Sequence, residues 1–418
     1  MSALSFQLLT SADQPLRRGL LAVAGKPSIA TPNCLLSTVR GAVPHLTPDM
    51  LARTGVHALQ ISLDHFADRK PSALELFPGG IGKFLNVEDY MVVCDLMETA
   101  GKEPDMSCSE KYMNLRTLAG HRKVSAKEYA EMARACDPDV CVAPCDPIWA
   151  AEAAPTQSRA HKASRRTVKF LDIFLQEMHG KPVLAVLQGS HYVNERVQSA
   201  TESSKRAVDG YALHLRGLER PASVADDAET PDLLTLLRSS TDHTPATRPR
   251  FAYGVSSIVQ VLEAVRAGVD MFDSAFVNWA TEQGHALHLC IGSEVDGPAT
   301  YDVIDLWSSD RRREFQPFVS GCECFACARH TRAYCYHLLQ THEMLAHVLL
   351  MCHNSYQYSR FFAQLRGHIE AGTFDGAYTA FVAAYENWKA TAPKATTSPR
   401  PAVPTFGTMV PTAERTAQ

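Results

Sequence analysis

The chain has 418 residues, 45% of them hydrophobic and 21% charged, with a formal net charge of −4. That length allows one large domain with a small appendage, and no apolar run approaches the roughly 20 residues that a membrane-crossing helix needs. The mild acidity excludes a surface built as a polycation, so any RNA contact has to come from a local patch or from a partner.

The opening segment MSALSFQLLTSADQPLRRGL lacks a basic start followed by a long apolar core, so no secretory signal is expected. The 12 cysteines are irregularly spaced and read as metal ligands or small buried hydrophobes in a reducing compartment. Short apolar, β-rich runs follow at Ala58–Leu63, Asp139–Ala143, Val183–Leu187, Tyr211–Leu215, Phe251–Val255 and Val269–Phe272. Between them lie segments with apolar residues three and four apart, at Val124–Ala135, Arg165–His179, Val193–Val208 and Ser257–Ala267. Strand and helix in alternation predict an α/β fold with a parallel sheet, and the number of repeats predicts an irregular (β/α)8 TIM barrel. No GxGxxG fingerprint supports a doubly wound alternative.

Asp146, Gln188, His214 and Asp273 stand at or just after strand ends, which is the face of a barrel where active sites form. Pro221–Arg250 reads as an exposed loop around a short helix at Leu233–Leu237. Residues 389–418 are rich in Pro, Thr and Ala and read as a disordered tail, which leaves 1–388 for the barrel.

The strongest local signal is Cys322-Glu-Cys324-Phe-Ala-Cys327, with His353 following 26 positions after the last cysteine. Three thiolates and an imidazole suit tetrahedral zinc, and four protein ligands leave no open position for water, so the site is expected to be structural, with one Zn2+ per chain. His330, His337, His342 and His347 compete for the fourth position, and spacing alone does not choose among them. Ala328–Arg366 contains no glycine or proline. Leu338, Leu345, Leu349 and Cys352 mark one face of a long helix that is expected to end near His353, with Asn354 capping a second helix that carries Phe361, Phe362 and Leu365.

The stretch CECFACARHTRAYCYHLLQTHEMLAHVLLMCHNSYQYSRFFAQLR resembles the zinc subdomain of tRNA-guanine transglycosylases along its whole length. Arg332-Ala333-Tyr334, His337-Leu338, Glu343-Met344-Leu345 and His353-Asn354 fall in family order. The resemblance implies His353 as the fourth ligand and a zinc subdomain at about 312–368 inserted in the barrel. Farther upstream, Gly268–Asp273 resembles the family strand that ends in the catalytic aspartate. Leu187-Gln188-Gly189 resembles its VQGG turn, with Ser190 in place of the second glycine, and Asp146 follows a strand as the pocket aspartate does. By that likeness Asp146, Gln188 and Gly189 would bind the base, and Asp273 would be the nucleophile. The resemblance covers roughly residues 30–385 and implies exchange of a guanine in tRNA for another base.

Three departures weigh against chemistry in this chain. The family's aspartate-serine-glycine-glycine-phenylalanine-glutamine motif has no equivalent between Gly79 and Asp137. After Asp273 the chain reads Ser274-Ala275-Phe276-Val277-Asn278-Trp279 instead of a cysteine and a proline-threonine-arginine turn, and His214 and Leu215 replace paired glycines. Thr31–Leu51 and Ser274–Leu289 resemble the non-catalytic subunits of the eukaryotic members. That likeness implies a heterodimer with a catalytic queuine-inserting subunit, or a homodimer when alone, acting on tRNA with a GUN anticodon. It also implies a place in the cytoplasm or peripherally at the mitochondrial outer membrane. A self-sufficient transglycosylase with Asp273 as nucleophile is the alternative; a third reading is an RNA-binding zinc scaffold without base exchange. The basic cluster Arg159, His161, Lys162, Arg165, Arg166 and Lys169, together with Arg311–Arg313, reads as a solvated face or a phosphate contact.

Overall fold

The computed structural model describes residues 4–67, 73–96, 107–117, 120–148, 155–218, 231–293 and 297–392. Three antiparallel strands come first: β1 (Leu4–Leu8), β2 (Gly19–Val23) and β3 (Ile29–Thr31). The chain then enters a parallel sheet through β4 (Asn33–Cys34) and β5 (Leu36–Ser37), one extended segment divided at Leu35. It continues through β6 (Ala58–Ser62), β7 (Met91–Asp95), a small antiparallel sheet of β8 (Ser107–Cys108), β9 (Met113–Thr117) and β10 (Gly120–Val124), and then β11 (Val140–Val142). The remaining parallel strands are β12 (Val183–Leu187), β13 (Gly210–His214), β14 (Arg250–Tyr253) and β15 (Met271–Phe272).

Sheet order is β4-β15-β14-β13-β12-β11-β7-β6-β5, every pairing parallel. Because β4 and β5 are halves of one segment, β4 pairing with β15 and β5 with β6 closes the sheet into the expected (β/α)8 barrel. Helices alternate with the strands: α1 (Pro48–Leu51), α2 (Ala73–Leu76), α3 (Gly80–Phe84), α4 (Ala126–Cys136), α5 (Gln157–Glu177), α6 (Val193–Ser204), α7 (Leu233–Thr241), α8 (Ile258–Arg266) and α9 (Ala275–Glu282). Their starts follow local chemistry. Ser125 and Glu128 form a reciprocal capping box on α4, while Thr156, Asp232 and Ser257 each accept a first-turn amide at α5, α7 and α8.

Strand alternation divides the core in two. Ala58, Met91, Val93, Val140, Val142, Leu184, Val186, Ala212, Phe251 and Met271 point into the barrel, where Leu4, Leu21, Val23 and Ile29 of the N-terminal sheet meet them. The outward set, among them Leu59, Val92, Cys141, Ala185, Leu213, Ala252 and Phe272, packs on the helices.

After α9 come the hairpin β16 (His285–Cys290) and β17 (Thr300–Asp305), then α10 (Phe325–Arg329), α11 (Arg332–Gln340), α12 (Leu345–Ala371) and α13 (Phe374–Thr391). Phe362 of α12 stacks on Phe272 of β15 at 5.3 Å, and Arg366 donates to the Pro32 carbonyl at 2.8 Å, so the second half of α12 covers the barrel seam. Two expectations change here. The helix break falls at Thr341–Met344, and His353 and Asn354 lie inside the continuous α12. The break rests on His342, which takes a left-handed φ of 56° while the Glu343 amide reaches back to the Leu338 carbonyl at 2.9 Å. A helix stop is usually signalled by glycine, and here a histidine fills that role. The helix placed at Leu233–Leu237 runs on to Thr241. Most of the loop before it, and the tail beyond residue 392, lie outside the described residues. Among the described residues no helix is long and apolar enough to cross a membrane.

Candidate metal centre and barrel mouth

Cys322, Cys324 and Cys327 surround the Nδ1 atom of His353 at 3.7, 3.4 and 3.3 Å. The four donor atoms all lie within 4.8 Å of one another, and all four residues are buried. Each donor is oriented by the chain. Cys324 caps α10, its sulfur receiving the Cys327 amide at 3.3 Å. The Gln357 side-chain amide donates to Cys322 Sγ at 3.3 Å. His353 Nε2 lies 2.8 Å from the Leu287 carbonyl, which only accepts, so Nε2 carries the ring proton and the Nδ1 lone pair faces the sulfurs. Hydrogen bonding from Cys324 and Cys327 pulls the Cys322 thiol far below its ordinary range. Three soft sulfurs and one imidazole, held by such outer contacts, form a group able to hold a metal ion, and the donor set fits tetrahedral coordination. The other four histidines are not part of it.

The same helix secures the hairpin. Asn354 Oδ1 accepts the Leu287 amide at 2.9 Å, Gln357 Oε1 that of Leu289 at 3.2 Å, and Gln364 Oε1 that of Ile291 at 3.3 Å. From Leu287 to Ile291 a strand advances about 14 Å, and from Asn354 to Gln364 a helix advances about 15 Å, so the two spacings match. The amides along this edge of β16 are thereby satisfied by helix side chains. Phe318, Leu338, Leu339, Leu349 and Leu350 complete the local core around the cysteines.

At the C-terminal mouth of the barrel the inward positions turn polar: Gln60, Asp95, Cys145, Gln188, His214, Tyr253 and Asp273. Asp273 is fully buried, and its carboxylate accepts the Gly254 amide at 2.6 Å and the Val255 amide at 3.0 Å. Gly254 meets it from a left-handed turn, φ 74°. Tyr358 donates to the Asp273 carbonyl at 3.1 Å.

Asp146 has no exposed surface and is held by Arg159 through two bonds of 2.8 and 2.7 Å and by Arg166 at 2.7 Å. Gln188 is buried, with its side chain against Cys145. Gly189, at φ 130°, has no room for a side chain, since a Cβ would come 2.5 Å from the Arg196 amide. Ser190, standing where the family has glycine, keeps a left-handed φ of 51°. His214 lies against Tyr253 with ring centroids 5.9 Å apart, and burial lowers its pKa to about 4.

Asp146, Gln188, His214 and Asp273 stand at or just after the C-terminal ends of β11, β12, β13 and β15, with Gly189 following Gln188. Asp95, not expected from the sequence, ends β7 buried and hydrogen-bonded by Gln60, in the segment where no counterpart of the family motif is found. A valine-rich strand closing on an acid was the available signal. Arg159 and Arg166, expected on a basic helix face, both turn inward to Asp146; His161 pairs with Glu195 and Lys169 with Glu110.

A family model described as queuine tRNA-ribosyltransferase matches residues 13–387. The chain is similar to proteins named queuine tRNA-ribosyltransferase accessory subunit 2. It is 33% identical to that of Danio rerio over 85% of this chain and 93% of the relative, and 30% identical to that of Homo sapiens over 83% and 91%. The accessory subunit 2 of Gallus gallus is 30% identical, over 84% and 90%. With a match spanning the barrel and the cysteine-histidine centre alike, the chain belongs to the queuine tRNA-ribosyltransferase family.

Proposed function

We propose that the chain is the non-catalytic accessory subunit of a two-subunit queuine tRNA-ribosyltransferase. It pairs with a catalytic homologue, and the pair exchanges guanine for queuine at the wobble position of GUN-anticodon tRNAs. The observation that carries this reading is the state of Asp273. A nucleophile has to face the ribose carbon, whereas this residue is fully buried, its carboxylate turned onto the Gly254 and Val255 backbone amides. The names of the relatives support the same reading. Asp146, Gln188 and Gly189 keep the positions of a base-binding rim, but the Asp146 carboxylate is taken by two arginines.

The metal is zinc, one per chain, bound by Cys322, Cys324, Cys327 and His353. With four protein ligands it would cross-link the α10 turn to the middle of α12, and its role would be structural. By resemblance to the eukaryotic members, the complex works in the cytoplasm, with peripheral attachment at the mitochondrial outer membrane. Labelled-guanine exchange into a GUN tRNA tests the assignment. Activity is expected only when a catalytic homologue is mixed with this chain, and Asp273→Asn is expected to leave the activity of the mixture unchanged. Exchange by the chain alone that disappears in Asp273→Asn would overturn the reading.

A further inference from the structure

The hairpin of β16 and β17 has two outer edges, and they are served differently. In β16 the odd-numbered residues turn their backbone groups toward α12: Asn354 and Gln357 accept the Leu287 and Leu289 amides, and His353 donates to the Leu287 carbonyl. The even-numbered residues therefore face β17. The register sets Leu287 against Val303 and Leu289 against Tyr301, so the N–H and C=O of Tyr301 and Val303 point outward, away from β16. Those four groups find no hydrogen-bond partner among the described residues. An open strand edge of this kind is a template for another strand.

Beside that edge, the face of α13 made by Gly376, Ala380, Ala384, Asn387 and Thr391 borders two adjoining hollows that share Ala299. The one of about 290 Å³ has Tyr301 and Trp388 on its walls and is large enough for an aromatic side chain.

Position, reach and chemistry together name an occupant. Helix α13 ends at Thr391, on the rim of this hollow, and the sequence runs on into residues 393–418, which lie outside the described residues and beyond the family match that ends at 387. Within them Thr405-Phe406-Gly407-Thr408-Met409-Val410 is bracketed by Pro404 and Pro411 and is rich in residues that favour a strand. From Ala392 to Thr405 is 13 residues (405 − 392), which extend to about 43 Å. The 18 residues of α13 are only about 27 Å long, so the whole trough is within range. Residues 393–418 carry Lys394, Arg400 and Arg415 against the single acid Glu414, while β17 carries Asp302 and Asp305 and no basic residue. Two β17 edges laid side by side would set these aspartates against one another, which disfavours direct pairing of two copies.

We propose that Thr405–Val410 of the chain's own C-terminal segment adds a third strand to the hairpin, pairing with Tyr301 and Val303 and seating Phe406 in the hollow between Tyr301 and Trp388. The added strand covers an edge otherwise open to other chains. It also braces the hairpin whose Leu287 carbonyl orients the ring of His353. The inference uses neither the barrel mouth nor a catalytic partner, so it stands or falls independently of the accessory-subunit reading.

Hydrogen exchange on the full-length chain reads the edge directly. The Tyr301 and Val303 amides are expected to exchange at least about tenfold faster in Gly407→Pro/Thr408→Pro, a double change that removes one edge-facing N–H in either register, than in the unaltered chain. Phe406→Asp should act in the same direction, and the amides of β12 should not change in either variant. A labelled synthetic peptide of residues 401–413 should bind the double-proline variant saturably and the unaltered chain at least about tenfold more weakly, because the tethered segment already occupies the edge. Equal exchange at Tyr301 and Val303 in unaltered and variant chains overturns the proposal, as does equal peptide binding to both. Protection that is lost on dilution overturns it too, since the strand would then come from a second copy.

Discussion

At the end of β15, the Asp273 carboxylate is an acceptor for two buried amides, and that fixes what its removal does. Asp273→Ala strands the Gly254 and Val255 N–H groups, at about 1–3 kcal/mol each, whereas Asp273→Asn keeps one acceptor and should lose about half as much. Urea unfolding midpoints of the two variants check the difference. His214 gives a second handle. Burial lowers its pKa from 6.5 to about 4, so the folded chain keeps the ring neutral while the unfolded chain protonates it. Stability from this residue is therefore intact above pH 6.5 and is lost as pH falls toward 4, by at most about 3 kcal/mol. His214→Leu should flatten that acid limb; equal losses in both proteins between pH 7 and pH 4.5 would contradict it. Residue roles were only half legible in the sequence. Asp146, Gln188 and Asp273 were visible as strand-end polar residues, but their hydrogen-bond partners come from distant positions such as Arg159 and Gly254, which no local pattern announces.

Among the elements, six barrel strands announced themselves because a strand buried on both sides reads as a short apolar run, as Val183–Leu187 does over its exact observed span, whereas β7 and the short β4–β5 segment did not. The N-terminal sheet did not, since β1 carries a half-exposed alternating pattern and gains its meaning only from the barrel floor it covers. The α11–α12 break was missed because its left-handed position is held by His342. What α12 does was partly readable: His353 stood out beside the cysteines, but Asn354, Gln357 and Gln364 serve β16 in a way that only the assembled hairpin reveals. This element also supports a prediction. Cys324→Ser removes one metal donor while leaving a hydroxyl able to cap α10. Metal content should fall well below that of the unaltered chain, and the region around Phe318 and Leu349 should lose protection in hydrogen exchange before the barrel strands do. Unchanged metal content with unchanged protection would remove the clamp from the account.

For the whole molecule, the fold and the family agree while the mouth of the barrel departs from what base exchange requires. The departure sits in a closed barrel whose C-terminal region carries a buried cysteine-histidine group able to hold a metal ion. On the accessory-subunit reading this barrel works beside an active one, which makes the pair the unit to measure. A transglycosylase that attacks through an aspartate leaves tRNA covalently attached to whichever subunit performs the chemistry. Denaturing electrophoresis of the reconstituted pair, quenched with a labelled GUN tRNA before the incoming base is added, reads that attachment subunit by subunit. The account predicts label on the catalytic subunit alone; label on this chain that disappears in Asp273→Asn would contradict it.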